Sequence, residues 1–138
     1  MSERKVGFAC GVFDLFHAGH VIMLEDCKKH CDYLVVGINT ADDIDPAINP
    51  GKKKPVYSFE ERKLIMGSIQ YVDEVVGYSS EEELIELMSS GRFHVRFLGD
   101  DYEGKPITGP GLIEEIVYLD RSHGYSTSSI RNRILGSK

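Results

Sequence analysis

The chain has 138 residues, 16 Lys and Arg against 22 Asp and Glu for a net charge of −6, and is 41% hydrophobic. That length is read as one domain over residues 1–138, because a single core of this size buries roughly two-thirds of the extended surface without a disulfide or metal staple. The acidic balance excludes a broad polyanion-coating face, so neither nucleic acid nor an anionic membrane surface is expected as a partner. No run approaches the roughly 18 apolar residues of a membrane span. Met1 to Lys5 leads into an apolar run with no signal-peptide core. An odd set of cysteines, Cys10, Cys27 and Cys31, is read as reduced thiols of a cytoplasmic protein.

Val6 to Cys10 is a short apolar run ending at Gly11, the pattern of a buried strand, and its apolar character on both faces predicts a central place. Val21 to Cys31 sets Val21, Met23, Leu24, Cys27 and Cys31 at helical spacings, and Asp32 to Ile38 carries the strongest strand signal. Thr40 to Tyr57 holds Pro46, Pro50 and Pro55 and the run Lys52-Lys53-Lys54, and reads as a long surface loop. Ser58-Phe59-Glu60-Glu61 is a capping box; its helix is expected to turn Leu64, Ile65 and Ile69 inward.

Strands are predicted at Glu74 to Gly77, Val95 to Gly99 and Glu115 to Leu119, and helices at Glu81 to Ser90 and Ser126 to Leu135. Asp100 to Gly111, rich in glycine and proline, interrupts the pattern as an irregular segment. Strands alternating mostly with helices predict an α/β fold: a Rossmann-like, doubly wound, five-stranded parallel sheet with helices on both faces.

The segment that carries chemistry is Gly11-Val12-Phe13-Asp14-Leu15-Phe16-His17-Ala18-Gly19-His20. It joins the first strand to the first helix, where ligands bind in open α/β sheets. Gly11 would let the backbone turn close to a ligand, and Gly19 would let a phosphate approach the helix start. His17 and His20, three apart, could aim both rings at one anion, beside the N–H donors and positive end of the helix. Two plainer readings stand beside this one: a strand–helix join that happens to carry histidines, and a zinc-binding pair. Zinc would need further ligands, for which Asp14 is the local candidate.

This segment is similar to the HxGH signature of the nucleotidyltransferases, in the form found in cytidylyltransferases. Arg121-Ser122-His123-Gly124-Tyr125-Ser126-Thr127-Ser128-Ser129-Ile130 resembles that family's second motif, and Phe97-Leu98-Gly99-Asp100-Asp101-Tyr102-Glu103-Gly104-Lys105 a third. With Tyr33–Gly37, Phe59–Lys63 and Tyr71–Val76, the likeness covers nearly the whole chain in order. It is strongest to the bacterial members that use glycerol 3-phosphate.

The resemblance implies transfer of a cytidylyl group from CTP to a small phosphorylated alcohol, with Mg²⁺ carried mainly by the nucleotide phosphates. It places His17 and His20 at the α-phosphate with Arg121 on phosphate. Lys53 would neutralise the β- and γ-phosphates, flanked by Lys52 and Lys54 in a lid. The nucleotide would lie along Gly11, Val12, Phe13, Asp14, Gly19 and Gly99, with Ser126, Thr127 and Ser128 at its phosphates and Asp101 near the base. Asp14 would orient a histidine, help hold Mg²⁺ or cap the turn, and Ser126 is also a natural N-cap. Ser122, His123 and Tyr125 depart from the family pattern, which places their effect on base or acceptor recognition. A homodimer is expected.

Adenylyl transfer from ATP to a sugar or flavin phosphate is the alternative within the class, and a non-catalytic nucleotide-binding scaffold the alternative outside it. Cys27 and Cys31 with His30 are read as a buried helix face rather than a metal site, and Arg131 and Arg133 as solvated or at a subunit interface. Glu81–Glu83 and Glu114–Glu115 are read as lying away from the phosphate motifs. The acidic protein would thus enclose a locally positive pocket.

Overall fold

The computed structural model describes residues 4–40 and 55–136. Strand β1 (Val6–Gly11) runs parallel to both β2 (Tyr33–Asn39) and β4 (Val95–Gly99), with Phe8 opposite Val35 on one side and Arg96 on the other. β3 (Glu74–Tyr78) flanks β2 and β5 (Glu115–Leu119) flanks β4, giving the order β3-β2-β1-β4-β5. The expected parallel five-stranded sheet is present, and β1 lies at its centre. The apolar runs mark these strands because a parallel strand is covered on both faces.

Side chains alternate across the sheet with period two. One face carries Ala9, Leu34, Val36, Ile38, Val95 and Phe97, packed against Leu24 and Cys27 of helix α1 (Ala18–Lys28) and Met66 of α2 (Phe59–Gly67). The other carries Val6, Phe8, Val35 and Tyr78 against Leu84 and Met88 of α3 (Glu81–Met88). Helices therefore cover both faces. The last helix, α4 (Thr127–Gly136), has no buried residue of its own.

Two expectations shift. α1 begins at Ala18 rather than Val21 and ends at Lys28, because the ring of His17 caps it. The Ser58 capping box forms as expected, with Ser58 Oγ accepting from the Glu61 N–H at 3.2 Å and Glu61 Oε1 from the Ser58 N–H at 2.9 Å. Its helix, however, buries Arg62 and Met66 and leaves Leu64 73% exposed. Arg62 sets that rotation: its Nη1 donates to Val12 O at 3.0 Å and Asn39 O at 2.7 Å, and its Nε to Tyr57 O at 3.1 Å. Leu64, two residues on, is turned by about 200° from that face.

Residues 100–111 are irregular as expected: a single 3₁₀ turn at Asp100–Tyr102 precedes glycines with positive φ at 104, 109 and 111. Of the long proline-containing segment, residues 41–54 lie outside the described residues, and with them Lys52, Lys53, Lys54 and the lid expected there.

Candidate active site

The order of the sheet reverses between β1 and β4. Chain leaving β1 turns toward β2, whereas chain entering β4 arrives from β3 across the sheet. Such a switch point leaves a crevice at the strands' carboxyl ends. Here it is a cavity of about 860 Å³ whose lining includes Gly11, Asp14, His20, Gly99, Arg121 and Thr127.

The turn out of β1 is under backbone strain. Phe13 and Leu15, both nearly buried, hold φ of 55° and 49°, the left-handed region that costs side-chain-bearing residues about 1–3 kcal/mol each. Buried polar anchors hold the turn in place. Asp14, 5% exposed, accepts from the Val56 N–H at 2.7 Å and the Tyr57 N–H at 2.9 Å, and pairs with Arg131 at 3.0 Å. Arg62 secures the carbonyl of Val12.

Asp14 is thus a fastener joining the β1 turn, residues 56–57 and α4. Its oxygens are engaged by N–H donors, a poor arrangement for a metal ligand. Among the described residues no group of three or more His, Cys, Asp or Glu side chains could hold a metal ion. Arg131, read from sequence as solvated or interfacial, instead closes the site from α4.

His17 and His20 form a reciprocal cap. Nδ1 of His17 accepts from the Gly19 N–H at 3.1 Å, and Nδ1 of His20 accepts from the His17 N–H at 3.2 Å. The rings stack at 3.9 Å, with Phe13 edge-on to His20 and Phe16 stacked on it. A neutral ring that accepts at Nδ1 carries its proton on Nε2. Burial, with His17 and Arg121 nearby, pulls the His20 pKa down to about 3; burial, His123 and Arg121 lower that of His17. Both rings are therefore neutral near pH 7 and present Nε2–H as a donor. One N–H of the helix start, that of Gly19, is consumed by the cap rather than left for a ligand.

A hydrogen-bonded line ties the pair to α4. His17 Nε2 lies 3.5 Å from Thr127 Oγ1, and that hydroxyl donates to Asp14 O at 3.1 Å. Ser126 Oγ accepts from the Ser129 N–H at 3.0 Å, the N-cap role its residue type favours. Ser128 joins Thr127 in the cavity lining. Arg121 reaches Asp101 at 3.6 Å, so this cation and the proposed base contact are partners in the structure described. Both crowd Gly99, where a Cβ would come within 2.4 Å of Asp101 Oδ1 and 2.6 Å of Arg121 Cδ.

His123 and Tyr125 pack at the start of α1. A Cβ on Gly19 would meet Tyr125 Cβ at 2.7 Å, His17 Cε1 at 2.9 Å and His123 Cε1 at 3.0 Å. Two of the three departures from the family pattern, His123 and Tyr125, thus stand beside the paired histidines, while Ser122 donates to Asp120. Glu81, expected to lie away from the site, accepts from the hydroxyl of Thr108 on the cavity wall at 2.7 Å. Cys27 is fully buried, and Cys31 donates from Sγ to Cys27 O. His94, unassigned from sequence, accepts from the Val6 N–H at 2.9 Å and ties β4 to β1.

Arg62, Arg96 and the role of Arg131 escaped the sequence reading. Arg62 offered one signal, its i,i+4 spacing from Met66 on a helix started by a strong cap.

A parallel doubly wound sheet with paired histidines at the mouth of its first strand has the architecture of the nucleotidyltransferases. The cytidylyltransferase-like family matches residues 8–133. The chain is 41% identical over 127 residues to glycerol-3-phosphate cytidylyltransferase of Bacillus subtilis, covering 91% of this chain and 94% of that relative. It is 37% identical over 134 residues to the bifunctional protein HldE of Wolinella succinogenes, covering 97% of this chain but only 28% of that protein's length. The lipopolysaccharide core biosynthesis protein of Thermoplasma volcanium superposes with a TM-score of 0.66 at 25% identity, over 85% of this chain and 97% of that one. The chain belongs to the cytidylyltransferase-like family of nucleotidyltransferases. Among the described residues no helix is long and apolar enough to cross a membrane.

Proposed function

We propose that the protein transfers a cytidylyl group from CTP to a small phosphorylated alcohol, glycerol 3-phosphate first, releasing pyrophosphate. The observation that carries the reading is the neutral, stacked His17–His20 pair, each ring with Nδ1 engaged by backbone and its proton on Nε2, that of His17 within 3.5 Å of Thr127 Oγ1. The choice of CTP and glycerol 3-phosphate rests on the Bacillus subtilis relative.

An ionised phosphate monoester needs no general base. Its oxygen forms a bond to the α-phosphorus while the bond from that phosphorus to the bridging oxygen breaks, and pyrophosphate leaves with the electron pair. The protein's task is to align two polyanions and meet the charge that develops. Nε2–H of His17 and His20 would donate to the α-phosphate oxygens. Arg121 would exchange Asp101 for phosphate, freeing Asp101 to accept from the amino group of the base. The first turn of α4, at Ser126, Thr127 and Ser128, and Lys53 would meet the β- and γ-phosphates, with Lys52 and Lys54 alongside. Mg²⁺ would be held by the nucleotide's own phosphates, since Asp14 is occupied.

The test is pyrophosphate release from the purified protein with Mg²⁺, CTP or ATP, and a panel of phosphate esters. Release with CTP and glycerol 3-phosphate is expected. Preference for ATP would overturn the cytidylyl assignment, and release with no pair would leave the scaffold reading. His17→Ala and His20→Ala are expected to cut turnover by about 100-fold or more; turnover near wild type in either would remove that ring from the transition state.

A further inference from the structure

The phosphate-binding groups proposed above do not use Arg96, which lines the same cavity. It lies on β4 with only 5% of its surface exposed, opposite Phe8 of β1 and Ile116 of β5. Its Nη1 donates to Thr108 O at 2.7 Å and reaches Gly109 O at 3.5 Å, in the irregular segment after β4. Its Nε is buried and has no hydrogen-bond partner among the described residues. No carboxylate pairs with it among those residues either.

The groups around it do not neutralise it. Cys10 and Tyr78, in hydrogen-bonding contact with one another, are both pushed upward by burial, so thiol and phenol stay uncharged near pH 7. Glu81, which meets Thr108 rather than Arg96, accepts from the Thr108 hydroxyl. A buried guanidinium without a counter-charge is destabilising. Tying down a carbonyl at 108 would need only a neutral N–H donor.

Position decides what completes it. Asp14, His20, Arg121 and Thr127 gather on the α1 and α4 side of the cavity, whereas Arg96 shares a sheet face with Cys10 and Tyr78, on the α3 side. Displacement in line at phosphorus puts entering and leaving oxygens on opposite sides. With pyrophosphate leaving toward α4, the acceptor must enter from across the cavity.

We propose that Arg96 is a specificity-determining residue that receives the end of the acceptor distal to its phosphate, its Nε–H and charge selecting a tail with oxygen lone pairs. This rests on the transferase reading given above. The shared chemistry is an oxygen acceptor, which a polyol hydroxyl or a carboxylate supplies.

Three acceptors separate the sources: glycerol 3-phosphate with hydroxyls, 3-phosphoglycerate with a carboxylate, and methyl phosphate with no tail. Wild type should favour one of the first two over methyl phosphate in kcat/KM, and the favoured ester names the tail. Arg96→Gln retains an N–H donor for Thr108 O but loses charge and fork. It should shrink that preference by about tenfold or more, leaving the nucleotide KM within about twofold. Arg96→Lys, which keeps only the charge, should fall between.

A preference unmoved by Arg96→Gln, a nucleotide KM that rises in step with the acceptor KM, or a wild type blind to the tail would overturn the assignment. Calorimetric binding of the same esters to nucleotide-free protein reads the same ratio without chemistry. No pyrophosphate with any pair therefore refutes the transferase reading alone, and pyrophosphate release with an unmoved ratio refutes the role of Arg96 alone.

Discussion

Lowering the pH from 7 to 5 should destabilise the protein through His20. In the fold its pKa lies at about 3 against 6.5 for the free side chain, so the unfolded chain binds the proton and the folded chain does not. Stability from this group is therefore complete above the unfolded value and is lost as pH falls from about 6.5 toward 3. At pH 5 the unfolded ring is almost fully protonated and the folded ring almost fully neutral. Linkage then gives about 2 kcal/mol lost relative to pH 7, on the order of a thirtyfold change in the unfolding constant. The assay is urea unfolding at pH 7 and pH 5 for wild type and His20→Phe. Phenylalanine keeps the stack between Phe13 and Phe16 but cannot titrate. Carboxylates contribute equally to both proteins, so the wild-type drop should exceed the variant's by about 2 kcal/mol. Equal drops would show that the ring is not held neutral, and the donor role of its Nε2–H would fall with it.

Asp14→Asn should destabilise by about 3 kcal/mol in denaturant unfolding, because it leaves Arg131 without its counter-charge in a largely buried pair; a loss below about 1 kcal/mol would refute the fastening role. Gly19→Ala should lower kcat/KM sharply by displacing His17 or Tyr125, with the displacement read as altered histidine ring resonances in NMR spectra. Leu64→Lys should change stability by less than about 0.5 kcal/mol, since its side chain faces solvent; a loss of 2 kcal/mol would mean that α2 is rotated from the orientation Arg62 gives it. Light scattering on the purified protein should give a homodimer mass, and a monomer at micromolar concentration would remove that expectation.

Strands were readable because short, mostly apolar runs leave little choice of boundary: Val95–Gly99 and Glu115–Leu119 coincide with prediction even though they hold Arg96 and Glu115. The histidine motif was readable for a related reason, since strand, turn and helix start are consecutive in the chain. What escaped was set by tertiary contacts. Nothing local marks a histidine as an N-cap, so α1 was begun three residues late. Leu64 looked like a core residue because hydropathy gives the helix a stripe but not its rotation, which a buried arginine decides here. Asp14 and Arg131 are 117 positions apart, and no spacing rule connects them. Arg96 stands in a strand whose neighbours are apolar, and only the sheet shows that its face opens onto a cavity.

That Asp14–Arg131 contact also orders events in time. The strained turn after β1 is synthesised 117 residues ahead of its α4 anchor, which it gains only when residue 131 is available. Contacts of such long sequence separation form late in folding. A nascent chain could hold its sheet core well before it holds a nucleotide. During translation the gain of ligand affinity should thus come as a single step once residue 131 is available, and a chain stopped before it would not sequester nucleotide.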